Sequence, residues 1–100
     1  MRFKAKIKIV DLETSKLLPC SSAKIYEDGD GKVHVFKSEA GVLKLSGVFE
    51  RDARAIIQSE GHVDKCIRLV DLGGLNQISL VKDGVVGYVY PRTNFASESV

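Results

Sequence analysis

Long apolar runs are missing from this chain. No segment approaches the ~20 consecutive apolar residues of a membrane-spanning helix. The opening residues alternate lysine with apolar side chains, so the uninterrupted apolar stretch of a secretory leader is missing as well. Read as a native start, Met1 argues for synthesis in the cytosol without a signal peptide. Cysteine is scarce: Cys20 and Cys66 are the two, and neither stands in a CxxC or Cys/His metal spacing. If Val63, Ile67 and Leu69 face inward, Cys66 faces the other side of its strand, so two free thiols are expected. An excess of one charge is absent too. A net charge of +2 is too small to imply nucleic acid or acidic membranes by itself.

What is present is ordinary for a folded domain: 44% hydrophobic and 28% charged among 100 residues. A chain of this length buries roughly 60–70% of its unfolded surface, enough for a two-layer core without staples. We expect one domain over residues 1–91 and a small polar C-terminal tail over 92–100. No repeat or low-complexity linker divides it.

Phe3, Ala5, Ile7 and Ile9 alternate with Arg2, Lys4, Lys6 and Lys8, a half-buried strand with one basic face. After Ile9 the phase flips to Val10 and Leu12, as at a bulge or a crossing between sheets. The lysine row reads in two ways: as an anion-binding face, or as edge-strand protection against pairing with another chain. Pro19 biases Leu18 toward extended backbone. Ala23, Ile25 and Tyr26 suggest a second strand, and Asp28-Gly29-Asp30-Gly31 a turn. A third strand, Lys32 to Lys37, puts Val33 and Val35 on one face and His34 and Phe36 on the other. Ser38 to Gly41 turns the chain into Val42–Val48. Later strands are expected over Val63–Leu72, Leu75–Lys82 and, after an Asp83-Gly84 hairpin turn, Val85–Tyr90.

The segment after Val48 admits a strand or a helix. Phe49, Ala53, Ile56 and Ile57 lie on one helical face, favouring a helix at 49–58 and an α+β fold. Ala53, Ala55 and Ile57 lie on one strand face. The other short segments separated by turn signals favour the strand and a β-sandwich.

The turn pattern resembles that of carboxypeptidase regulatory-like domains. Val10-Asp11-Leu12-Glu13-Thr14-Ser15-Lys16-Leu17-Leu18-Pro19, followed by Ala23-Lys24-Ile25-Tyr26, is similar to their opening strand, Thr-Gly turn, Leu-Pro pair and second strand. Ser38-Glu39-Ala40-Gly41 resembles their Thr-Asp-x-Gly turn, and Gly61-His62 their Gly-Tyr pair. Ile78-Ser79-Leu80 is similar to their last strand. Ser15 stands where the family has the turn glycine, Cys20 where it has the glycine after proline, and Arg51-Asp52 in place of Pro-Gly. The resemblance implies an all-β, two-layer antiparallel sandwich of about seven to eight strands, prealbumin-like or immunoglobulin-like. It also makes Ala53–Ser59 a strand.

No motif assembles a catalytic or cofactor site. Asp28, Asp30 and Glu39 match positions 1, 3 and 12 of a calcium loop, but Val33 replaces the required glycine. His34 and His62 have no partner at metal spacing and read as surface or turn histidines. Ser21-Ser22 lacks a nucleophile elbow, and Gly73-Gly74 lacks the GK[ST] of a phosphate loop. Transthyretin-like hydrolases, which share the fold class, have a first-strand histidine and a Tyr-Arg-Gly-Ser ending. Here Lys8 and Ile9 stand in the first strand and the chain ends Glu98-Ser99-Val100.

The expected function is therefore a non-enzymatic interaction module, without cofactor or metal, docking onto a larger protein assembly. A decoration subunit of a virus capsid is one such role. The alternatives are a carbohydrate- or cell-surface-binding accessory domain of a secreted protein and, less favoured, a small hydrolase. Candidate protein-binding residues are Val86, Tyr88 and Tyr90, which share one face of the last strand, and Lys4, Lys6 and Lys8. Nucleic acid is not the expected partner, because no aromatic residue interleaves with the lysines for base stacking and Phe3 alternates inward.

Overall fold

The computed structural model describes residues 1–27 and 31–84. Seven strands are formed within them: β1 (Arg2–Asp11), β2 (Ser21–Tyr26), β3 (Val33–Lys37), β4 (Val42–Val48), β5 (Arg54–Ser59), β6 (Lys65–Arg68) and β7 (Gln77–Leu80). One helical turn, α1 (Leu69–Leu72), follows β6. The strands form two sheets, ordered β4-β1-β7 and β3-β2-β5-β6. Every strand pair is antiparallel except β1 with β7, which is parallel. The chain is an all-β sandwich.

Period-two alternation builds the core. Phe3, Ile7 and Ile9 of β1, Leu43 and Leu45 of β4, and Ile78 and Leu80 of β7 bury one face of the first sheet. They meet Ala23 and Ile25 of β2 and Ala55 and Ile57 of β5 in one cluster. Phe49 closes one end of this cluster. Its ring takes edge-on contacts from Phe3, His34 and Phe36, with centroids 6.4, 5.2 and 6.4 Å away.

The expected phase change in β1 is a change of partner. Arg2 to Lys8 pair with β4, and Lys8 to Asp11 pair with β7. Beyond Lys8 the Ile9 N–H donates to Gly41 O, and Ile9 and Val10 are both buried. Leu12 does not join Val10 inside. It is 42% exposed, because the chain has already entered the turn at 12–14.

β7 pairs with β1 only over Lys8–Asp11, so among the described strands Lys4 and Lys6 stand on a stretch bonded on the β4 side alone, the setting in which lysines protect an edge. They project from the outer face of the sheet. Three expectations are corrected. The helix at 49–58 is not formed, because β5 is bonded on both sides, to β2 and to β6. Glu50-Arg51-Asp52 makes the corner, with the Ala53 N–H donating to Glu50 O at 3.1 Å. The long strand over Val63–Leu72 is cut to Lys65–Arg68. Leu69 and Leu72, three apart, are both fully buried while Val70 is exposed, the burial pattern of a helical turn. The expected strand over Leu75–Lys82 likewise shortens to Gln77–Leu80.

The expected strands Val42–Val48 and Ala53–Ser59 are formed, the second beginning one residue later. The β2–β3 connection is closed by Gly31 N–H to Glu27 O and Glu27 N–H to Lys32 O, both at 3.1 Å. Cys20 and Cys66 are free and exposed. Asp28 to Asp30, Val85–Tyr90 and the tail at 92–100 lie outside the described residues.

Candidate functional site

Alternation that buries Phe3 and Ile7 forces Lys4, Lys6 and Lys8 outward on the same strand. Register then sets what lies beside them. Lys4 is opposite Ser46, Lys6 opposite Lys44, and Lys8 opposite Val42 on one side and Gln77 on the other. Lys6 and Lys44 are thus like charges directly across a strand pair, an arrangement that costs stability. A hollow of about 430 Å³ opens between the two strands, lined by Lys4, Ala5, Lys6, Lys44 and Ser46. A second, of about 320 Å³, continues it through Lys4 and Ser46 to Arg2 and Val48. A third, of about 210 Å³, extends it from Lys44 to Lys37.

These hollows make one shallow furrow along the outer face of β1 and β4. Glu39 is its single lining carboxylate among the described residues, 3.7 Å from Lys44, and both side chains are well exposed. An exposed pair of this kind is screened and weak. Charge is segregated across the described residues. Six of the seven strands carry lysine or arginine, whereas Asp11 is the one carboxylate on any of them. The remaining described carboxylates sit in connecting segments and in α1. A second cationic patch, formed by Arg51, Arg54 and Arg68 around a hollow of about 340 Å³, holds Asp52 among its lining residues. Asp71 lies 3.5 Å from Arg68. That patch is nearly balanced, and the furrow is not.

The two histidines both have carboxylate partners, which sequence spacing did not reveal. His34 keeps a partly exposed side chain, 35% accessible, as expected of a surface histidine, but it is not unpartnered. It lies half-buried on the inner face of β3 with Nε2 2.8 Å from Glu27 Oε1. Glu27 is itself buried and accepts the Glu50 backbone N–H on Oε2 at 2.9 Å. His62 follows the turn at Gly61, but its side chain is only 10% exposed. Its Nε2 lies 2.8 Å from Asp11 Oδ2 and its Nδ1 3.1 Å from Glu60 O. The Asp11 carboxyl titrates at about 2, below its ordinary 3.8. The hydrogen bond from His62 is the largest cause, and the Thr14 and Glu13 N–H donors add to it.

The pairs occupy opposite ends of the sandwich. Glu27, His34 and Phe49 lie at the Arg2 end of β1, and Asp11 and His62 at the other. Among the described residues, no serine, threonine or cysteine is hydrogen-bonded to either ring, and no group of three or more potential ligands is placed to hold a metal. No described helix is long and apolar enough to cross a membrane.

The structure therefore brings Lys4, Lys6 and Lys8 together with Lys44 and Ser46, which sequence reasoning did not join to them. The Lys44–Ser46 alternation in β4 was visible, but its register against β1 was not. Val86, Tyr88 and Tyr90 lie outside the described residues. The arrangement is that of a small β-sandwich with one cation-lined outer face. No protein-family model, curated protein or solved structure matches the chain.

Proposed function

We propose that this protein is a non-enzymatic interaction module that docks onto a larger protein assembly through the basic outer face of β1 and β4. The observation that carries this reading is the predominantly cationic furrow, with Lys6 directly opposite Lys44 and Glu39 its one described carboxylate. A sequence under selection for stability alone gains by placing a carboxylate at one of those positions. Two ammonium groups placed there fit a surface whose countercharge comes from a partner. An auxiliary subunit decorating a large assembly, such as a virus capsid, is a role of this kind. The histidines support a binding role over catalysis. Both ring nitrogens of His62 are engaged, and the Glu27 that holds His34 also accepts a backbone N–H.

We further propose that the sandwich is of the carboxypeptidase regulatory-like kind. Three backbone positions support that reading. Ser15, at the place of the family's turn glycine, has φ 61°, and Gly41 and Gly61 have φ 85° and 76°. All three are left-handed, as the turns of the resemblance require.

Size-exclusion chromatography with light scattering tests the docking role, on the protein alone and mixed with soluble extract of its source. The expected result is a large defined complex with the unaltered chain and none with Lys6→Glu/Lys44→Glu. A chain that stays monomeric in the mixture, or a variant that assembles equally well, overturns the reading.

A further inference from the structure

We infer that the furrow between β1 and β4 binds an extended acidic protein segment whose carboxylates recur at every second residue. This deepens the docking role proposed above and rests on it. The first support is spacing. A strand rises about 3.4 Å per residue, so Lys4, Lys6 and Lys8 leave the sheet at intervals of about 7 Å over a basic stretch of about 20 Å from Arg2. An extended partner with Asp or Glu at alternate residues presents carboxylates at that same interval. Its charges meet successive lysines without either backbone bending.

The second support is the cross-strand arrangement. Lys6 and Lys44 flank the same hollow, with Ser46 beside Lys4. A carboxylate at the centre of the furrow thus reaches ammonium groups from both strands. Binding it relieves the repulsion between them, a gain a single row of lysines does not offer.

The third support is what lines the furrow. Val42 and Val48 border the cations, and the one described aromatic residue that lines the furrow, Phe3, is buried. A single-stranded nucleic acid finds phosphate partners here but, among the described residues, no exposed ring on which to stack a base. An acidic peptide needs no such ring. The balanced arginine patch around Arg54 and Arg68 provides an internal control surface of the same protein.

The test is fluorescence anisotropy with two labelled peptides of identical composition, five Glu-Thr repeats and a block of five Glu followed by five Thr. A (dT)10 oligonucleotide is measured at the same salt. The alternating peptide is expected to bind at least about fivefold tighter than the block peptide and tighter than the oligonucleotide, and to weaken steeply with salt. Lys6→Gln/Lys44→Gln is expected to weaken it about tenfold or more, and Lys24→Gln/Arg54→Gln on the other sheet less than about twofold. Circular dichroism confirms that both variants fold. Equal binding of the two peptides, equal losses from the two variants, or tighter binding of the oligonucleotide each overturns the inference. If the peptides fail while the unaltered chain still forms a large complex that Lys6→Glu/Lys44→Glu abolishes, the peptide specificity falls and the docking role stands. If the complex is lost as well, both fall.

Discussion

Asp11 and His62, fifty-one positions apart, meet through a 2.8 Å contact between Oδ2 and Nε2 that ties the end of β1 to the turn after β5. The other oxygen of Asp11 accepts the N–H groups of Glu13 and Thr14 at 2.8 and 3.1 Å, and the Ser15 N–H donates to Asp11 O at 2.8 Å. One carboxylate therefore shapes its own turn and holds a distant one. Folding favours its charged form, since its folded value is about 2 against an ordinary 3.8. The sign follows: the contribution is complete above about pH 4 and is lost as pH falls toward 2. Asp11→Asn is expected to lower the melting temperature at pH 6 and to flatten its decline between pH 4 and 2. Thermal unfolding of both proteins across that range checks it, and parallel acid limbs would rule the linkage out.

The turn into β4 sets two neighbouring residues against each other. Ala40 has φ 53° and Gly41 φ 85°, and Glu39 and Val42 exchange both backbone hydrogen bonds across them. Only the glycine is at ease there. Ala40→Gly is expected to stabilise the protein by about 0.5–1 kcal/mol, as left-handed strain is relieved at some cost in chain entropy. Ser15→Gly, at φ 61°, is expected to act in the same direction. Gly41→Ala is expected to destabilise, because its Cβ meets Leu17 Cβ at 2.9 Å and keeps the left-handed φ. Urea denaturation orders the variants, and a destabilised Ala40→Gly contradicts the account.

At the other end, Glu27 accepts from His34 Nε2 on one oxygen and from the Glu50 N–H on the other. Glu27→Ala strips both donors of their acceptor in a nearly buried place, at a cost of about 1–3 kcal/mol. Glu27→Gln keeps one carbonyl oxygen and is expected to recover part of that loss. Equal stability of the Ala and Gln variants in denaturant titrations would show that packing against Phe49, rather than hydrogen bonding, fixes this corner.

Much of the sandwich was legible because alternation and turn chemistry act locally. Phe3, Ile7 and Ile9 declare their face by spacing alone, as do Val42–Val48 and the turn at Ser38–Gly41. Ala53–Ser59 was ambiguous because Phe49 mimics a helical face. It sits instead at a corner, where its burial comes from the aromatic cluster. Leu69 and Leu72 misled in the other direction: four residues are too few to show a helical period against the strand pattern before them. The histidine–carboxylate pairs join residues seven and fifty-one positions apart. The longer pairing exists only once the sheets have packed. The lysine row was visible and its strand's place in the sheet was not, since pairing with β7 depends on a parallel connection that no turn signal announces.

The pairing of Lys6 with Lys44 makes binding and stability pull apart. Each ammonium raises the cost of the other across the strand pair, so replacing one with a carboxylate turns repulsion into attraction. Lys44→Glu is expected to raise stability by about 0.2–1 kcal/mol at low ionic strength, with the gain shrinking as salt is added. The same substitution places a negative charge inside the furrow and is expected to abolish binding of the alternating acidic peptide. Lys24→Glu, on the other sheet, serves as the control and is expected to leave peptide binding nearly unchanged. Melting curves at about 10 and 500 mM salt, read beside anisotropy on the same samples, check both halves. A Lys44→Glu variant that loses stability at low salt would mean that Lys44 serves the fold, most directly through its contact with Glu39, rather than a partner.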